Sequence, residues 1–288
     1  MSSVGETEDG VRYEPLRLDA IERRFWRDIS EAVPAAVASE HGVELRDFGP
    51  VQATVIADLG QVGMLNLVLG ATEPGAVADG HLGAALEWVA ERGARACVPV
   101  TPGLPDTPAA ERWLAGNGLS PSYAWMKFVR DPHPPRFSVP DDVEVIELGP
   151  NPDEPFAAIA AAGFGMPAWS AALFSELPSR EGWRCYVAKV DGEVGACGAM
   201  VIADGIAELG VGATLEPARR RGCQLALLRQ RIVDAAEAGC HTLFVETGER
   251  LEGRPAGSYR NILRAGFKEA YLCPNWQPSD GAGGAADD

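Results

Sequence analysis

Apolar residues at steps of three and four, Leu18, Ile21, Phe25, Ile29, Val33 and Val37, predict one or two amphipathic helices over 18–39, interrupted near Pro34. Strand-like runs follow at 52–57 and 64–69. A helix over 81–91 turns Leu82, Leu86 and Val89 inward and ends by Gly93, and 96–100 reads as a short buried strand. Thr107 caps a helix with Pro108 in its first turn that stops at Gly118, and 123–129 is again a strand. After a proline-rich stretch, the pattern gives a strand at 143–148, a helix over about 154–162, and a turn-rich segment over 163–170 leading into a second short helix. Strands at 184–190 and 193–201 flank Asp191-Gly192, a two-residue hairpin signal. A strand at 206–214 feeds a helix whose inward face is Leu225, Leu228, Ile232 and Ala236, stopped by Gly239. A strand at 242–246, a helix at 259–265 and a strand at 269–272 complete the series. These mixed elements place the chain in the α/β (α+β) class.

The order repeats. Val55-Ile-Ala-Asp58 recurs 146 residues later as Val201-Ile-Ala-Asp204, and Ala-Glu-Arg-Gly93 recurs at the same spacing as Ala-Glu-Ala-Gly239. Asn-Gly118-Leu corresponds to Ala-Gly266-Phe, 148 residues on. Three anchors in nearly constant register indicate a tandem duplication. The prolines of 131–142 forbid a packed helix or central strand there, so the expected organisation is a disordered start over 1–15, a first domain over 16–130, a linker over 131–142, a second domain over 143–276, and a tail over 277–288.

Composition narrows the function classes. The 288 residues are 46% hydrophobic and 23% charged, with room for two domains and no apolar run of the roughly 18 residues a membrane helix needs. The start is acidic and polar, unlike a signal peptide, so a cytoplasmic location is expected. The formal charge of -16, from 41 acidic and 25 basic residues, argues against nucleic acid and favours a cationic substrate by steering. Six cysteines without a Cys-x-x-Cys pair read as reduced core residues, and four scattered histidines give no metal site.

Against that acidic background stands one basic turn. Arg219, Arg220, Arg221 and Gly222 lie between a strand and a helix start, where free backbone N–H groups, the positive end of the helix dipole and three guanidiniums meet. This is a site for phosphate on a compact ligand. At the same register the first half carries Glu73-Pro-Gly-Ala-Val-Ala78, without arginine and with a carboxylate, so only the second half is competent.

Arg219-Arg-Arg-Gly222-Cys-Gln224 resembles the Arg/Gln-x-x-Gly-x-Gly/Ala signature of the GNAT superfamily of N-acetyltransferases, except that Gln224 replaces a small residue. Thr214-Leu215 before the turn, Ala226-Leu227-Leu228 after it, and Ser258 to Phe267 are similar to the family's flanks and its last helix. The resemblance covers about 142–275 well and the first half weakly. It implies tandem GNAT-like domains, each a mixed, mostly antiparallel sheet flanked by helices, the first degenerate.

The resemblance further implies acetyl-CoA as co-substrate. Its pyrophosphate would lie on Arg219, Arg220, Arg221, Gly222, Cys223 and Gln224, and its pantetheine arm along Leu209, Val211, Ala213 and Thr214, with Asn261 as a further polar contact. Gly210 and Gly212 would clear the arm's path or simply permit tight packing. Glu208 stands where the family often places a general base, and Val211 offers a backbone N–H for the oxyanion. The family's usual tyrosine is replaced by Ile262, which leaves Tyr259 as the candidate proton source and Ser258 as an expected helix cap. Met166 and Trp169 would contact the acceptor or merely pack the connection. The expected activity is acetyl transfer to a primary amine of a small molecule or peptide, by direct attack, in a monomer or homodimer. A non-catalytic acyl-CoA sensor or scaffold, and an acyltransferase using another acyl-CoA, remain open.

Overall fold

The computed structural model describes residues 4–150, 155–253 and 256–279. In chain order it contains β1 (Gly5–Glu6), β2 (Arg12–Tyr13), α1 (Pro15–Glu31), α2 (Ala35–His41), β3 (Val43–Phe48), β4 (Val51–Ile56), β5 (Val68–Leu69), α3 (His81–Glu91), β6 (Val98–Pro99), α4 (Thr107–Gly116) and β7 (Leu119–Arg130). Then follow β8 (Val143–Leu148), α5 (Phe156–Gly163), β9 (Trp183–Val190), β10 (Glu193–Ala203), β11 (Ile206–Thr214), α6 (Cys223–Glu237), β12 (Thr242–Gly248), α7 (Gly257–Arg264) and β13 (Lys268–Pro278). The expected helix start at Glu154 and the expected tail from residue 280 onward lie outside the described residues.

The chain forms two compact units, residues 1–43 with 125–272 and residues 44–124 with 273–288. In the first, strands lie in the order β13-β7-β12-β11-β10-β9-β8. Neighbours β8–β9, β9–β10, β10–β11 and β12–β7 are antiparallel, while β11–β12 is parallel. This is the mixed, mostly antiparallel sheet flanked by helices that the sequence implies. The Asp191-Gly192 hairpin is present, with φ of 55° and 83° at the two residues, as a primed turn requires. Helix α6 lays Leu227, Leu228, Ile232 and Ala235 on one face of the sheet, over Tyr186, Met200 and Leu209. The second unit has a three-stranded sheet β3-β4-β5 and pairs β6 with the end of β13. Its core is Val51, Val55, Leu82, Trp88, Val98 and Leu114. The succession α3-β6-α4-β7 repeats as α6-β12-α7-β13, with α3 and α6 ending 146 residues apart.

Five local expectations change. Residues 5–13, expected to be disordered, pair as a small hairpin, Gly5 with Tyr13 and Glu6 with Arg12. Distant contacts hold it: the Tyr13 hydroxyl donates to the Ala270 carbonyl at 3.0 Å, Tyr13 stacks on Tyr271, and Lys268 reaches Asp9 at 2.6 Å. The short helix expected after 163–170 is two 3-10 turns, Ala168–Leu173 and Leu177–Ser179, with prolines at 167 and 178 beginning each one. The strand at 64–69 shortens to β5 behind a 3-10 turn, and the last strand runs on to Pro278. Ser258 lies inside α7, which is preceded by Ala256, and does not cap it.

The units also divide the chain differently from the linear scheme of 16–130 and 143–276, because α1 and α2 belong with the later segment. Helix α1 buries Leu18, Ile21, Phe25 and Ile29. Phe25 packs on Trp183 with ring centroids 5.1 Å apart and fills the space over Gly210, where a Cβ would lie 2.4 Å from the ring. The apolar stripe was legible, but the sheet it needed lies more than 150 residues away in the chain.

Candidate active site

Parallel pairing of β11 and β12 runs from Ile206–Thr242 to Leu209–Val245 and stops, although both strands continue. Past that point β12 keeps its other edge paired with β7, Glu246 opposite Lys127 and Gly248 opposite Trp125. The two strands therefore part, leaving the edge of β11 beyond Leu209 without a strand partner on that side. A bulge sits at the same place: Ala199 pairs with Gly210 and Cys197 with Ala213, so Gly198 alone faces Val211 and Gly212. Val211 has φ +48°, a left-handed conformation that a β-branched residue rarely takes. The two strand glycines serve different ends. Gly210 makes room for Phe25 of α1, whereas nothing lies within 4 Å of the Cβ position of exposed Gly212.

β11 leads directly into the basic turn. Arg219 donates from Nε to the Thr214 carbonyl at 3.3 Å and is otherwise exposed. Arg220, at φ +62°, is exposed and makes no ion pair among the described residues. Gly222, at φ +88°, precedes α6 and tolerates no side chain, because a Cβ would lie 2.6 Å from Pro140. Arg221 differs from its neighbours: it is bound by Asp191 and Asp142, each at 2.9 Å, and these carboxylates raise its pKa further. Two guanidiniums are thus available to an anion at this helix start, rather than three. Cys223 is buried, which raises its thiol pKa. Gln224 does not aim its amide at the turn's open side; it donates to Ser258 at 3.0 Å and accepts from Asn261 at 2.7 Å, tying the first turn of α6 to α7.

Four charged side chains that local sequence patterns scatter along the chain meet beneath the parting strands. Glu208 of β11 is 3% exposed, and its Oε2 has no hydrogen-bond partner among the described residues. Lys127 of β7, fully buried, is bound by Glu22 of α1 at 2.8 Å and by Glu246 of β12. Burial is the main force raising the Glu208 pKa well above the ordinary carboxylate range, and the Glu22 and Glu246 carboxylates add to it against Lys127. Burial likewise pushes Glu22 up to about 7, opposed by Lys127 and reinforced by Glu246 and Asp19. Of these, only Glu208 stands out in the sequence as a candidate. Glu22 was detectable as a carboxylate inside the apolar stripe of α1, and Lys127 as a lone charge in an apolar strand run.

Tyr259 is 4% exposed, packs edge-on to Phe128, and donates its hydroxyl to Glu269 at 2.6 Å; burial and that carboxylate raise its pKa. Leu209, Val211 and Ala213 are buried along β11, and Thr214 is partly exposed at its end. Trp169 stacks flat on His41 of α2, with centroids 3.8 Å apart and planes 6° from parallel, and Met166 lies half-buried three residues before it. No described helix is long and apolar enough to cross a membrane, and all six cysteines are buried.

No protein-family model matches the sequence, and no protein of curated function does. Solved structures do match. A GCN5-related N-acetyltransferase from Kribbella flavida aligns over 83% of this chain and 90% of its own, at 18% identity and a TM-score of 0.57. One from Sphaerobacter thermophilus aligns over 79% and 76%, at 18% identity and a TM-score of 0.56. A tandem GNAT protein from the clavulanic acid biosynthesis pathway aligns over 79% and 77%, at 16% identity and a TM-score of 0.56. The parted parallel strands, the bulge and the glycine-led helix start thus belong to a chain with the fold of the GCN5-related N-acetyltransferases, including that of a tandem example.

Proposed function

We propose that this chain is an acetyl-CoA-dependent N-acetyltransferase with one competent site, in the first unit, acting on a primary amine of a small molecule or peptide. The observation that carries the reading is the joining, on one strand, of an edge beyond Leu209 with no strand paired to it among the described residues and a turn with two exposed arginines not bound by carboxylates there, at a helix start. An extended pantetheine arm fits the edge from Leu209 to Thr214, with Gly212 open beside it. Arg219, Arg220 and the backbone amides of 222–224 suit a diphosphate. Bound there, acetyl-CoA would supply a thioester carbonyl open to an amine. Val211 N–H is the proposed donor to the carbonyl oxygen, and Glu208 the proposed acceptor of the ammonium proton. Because the Glu208 pKa is raised, the carboxylate becomes available only as pH rises. The departing thiolate needs no dedicated acid, since an ordinary thiol pKa of about 8.5 makes it a competent leaving group. Trp169, one face of which is covered by His41, is the proposed contact for a cationic acceptor through its other face.

The arginines separate this site from a generic basic patch. Arg219→Ala and Arg220→Ala should each weaken acetyl-CoA binding about 10-fold, the loss of a charge-assisted hydrogen bond. Arg221→Ala should leave it within about 2-fold, because Asp142 and Asp191 already hold that side chain. Fluorescence titration of the three variants checks this, and equal losses in all three would count against the assignment.

A second reading, an acyl-CoA sensor without turnover, is favoured by the burial of Glu208 beside Glu22 of α1. Binding of acetyl-CoA with no transfer to any of a panel of amines, at any pH up to about 9, would establish it.

A further inference from the structure

Arg231, on the inward face of α6, is 3% exposed, and its hydrogen bonds all go to main-chain carbonyls. Nε donates to Leu227 at 3.1 Å, one turn back on its own helix. Nη1 donates to Ala199 at 2.9 Å and to Gly210 at 3.2 Å, one on each strand beside the bulge. Burial drags its pKa down to about 10, so it stays protonated near neutrality. A buried cation without a carboxylate among its hydrogen-bond partners is costly and calls for a reason. Gly198 supplies the room: a Cβ there would lie 3.0 Å from the guanidinium carbon.

The carbonyl of Gly210 and the N–H of Val211 belong to one peptide group. The peptide is trans, so the two point to opposite edges, and a cation on the carbonyl draws electron density away from the N–H. Arg231 also bonds both strands where the two-against-one register disrupts their ladder, which helps hold Val211 at its positive φ.

We propose that Arg231 is a positioning residue for acyl transfer, fixing and polarising the Gly210–Val211 peptide so that the Val211 N–H binds the carbonyl oxygen more strongly. As the amine forms its C–N bond, the carbonyl π pair moves onto that oxygen, and breaking the C–S bond returns it. The donor therefore matters most between the two events. This inference rests on the acetyl-transfer reading above.

The test is isotope-edited infrared spectroscopy of [1-13C]acetyl-CoA bound to the full chain, alongside kcat and KM for wild type, Arg231→Lys and Arg231→Met. The wild type is expected to shift the bound carbonyl stretch below its value in free acetyl-CoA. Arg231→Lys should keep part of that shift. Arg231→Met should lose most of it and lower kcat about 10- to 100-fold, with KM for acetyl-CoA within about 3-fold. A merely structural arginine would alter melting temperature without moving the stretch. The proposal is overturned alone if wild type binds acetyl-CoA and turns over with an unshifted carbonyl, a result that needs no variant to fold. It is also overturned if either folded variant matches wild type in both stretch and kcat. If wild type binds no acetyl-CoA, it falls together with the acetyl-transfer reading.

Discussion

Lys127→Met is expected to destabilise the first unit by about 3–5 kcal/mol at pH 8 and by much less at pH 5. Lys127 is fully buried between Glu22 and Glu246, with Glu208 alongside, so its removal takes the opposing cation from two buried carboxyls and a partly buried one. The pH dependence follows from the directions of the shifts. Glu22 is raised from 4.5 to about 7, so its contribution to stability is full below about 4.5 and is lost as pH rises through about 7. Glu208 is raised in the same sense. Without the lysine that opposes both shifts, the loss on raising pH must steepen, and acidification must recover most of it. Urea unfolding of wild type and variant at the two pH values measures this. Equal destabilisation at both would mean that Lys127 contributes packing and not charge.

Glu208→Gln should lower kcat by about 10²- to 10⁴-fold, the range for loss of a general base, with acetyl-CoA affinity unchanged. The amide keeps the side chain's shape in its buried place, and the affinity comes from the turn at 219–224. In wild type the pH profile of kcat/KM should rise with pH, with its inflection above the ordinary carboxylate range, because burial raises the pKa of the group that must be ionised. The variant should lose that inflection. A profile flat from pH 5 to 8, or a variant as fast as wild type, would remove Glu208 from the mechanism. The sensor reading would then become the better account.

The sequence carried the fold unevenly, and the reasons are physical. Elements whose apolar period is local, such as α6 with Leu225, Leu228 and Ile232, and the Asp191-Gly192 turn, stand where the pattern places them. The repeat at 146 residues correctly anticipated that α3-β6-α4-β7 and α6-β12-α7-β13 would correspond. The N-terminal expectations that failed depended on distant partners. Residues 5–13 are held in place through Ala270, Tyr271 and Lys268, and α1 finds its sheet at Trp183 and Gly210.

The candidate site divides in the same way. The basic turn was visible because glycine and arginine at a helix start act through the local backbone. Whether a given arginine is free was not visible, since Asp142 and Asp191 reach Arg221 from other parts of the chain. The charged cluster around Lys127 joins residues of α1, β7, β11 and β12, and sequence spacing says nothing about their meeting. In the sequence alone, Arg231 reads as surface, like any charge on a long amphipathic helix. Only Gly198 and the bulge beneath it show that the side chain turns inward.

The central claim is one acetyl-CoA site per chain, held by the turn after β11. Isothermal titration calorimetry of the full chain with acetyl-CoA tests it most directly, in wild type and in the double variant Arg219→Glu, Arg220→Glu. Wild type is expected to bind with a stoichiometry of one, and the variant at least about 100-fold more weakly, since two favourable charges become unfavourable. A stoichiometry of two, no binding by wild type, or equal affinity in the two proteins would contradict it.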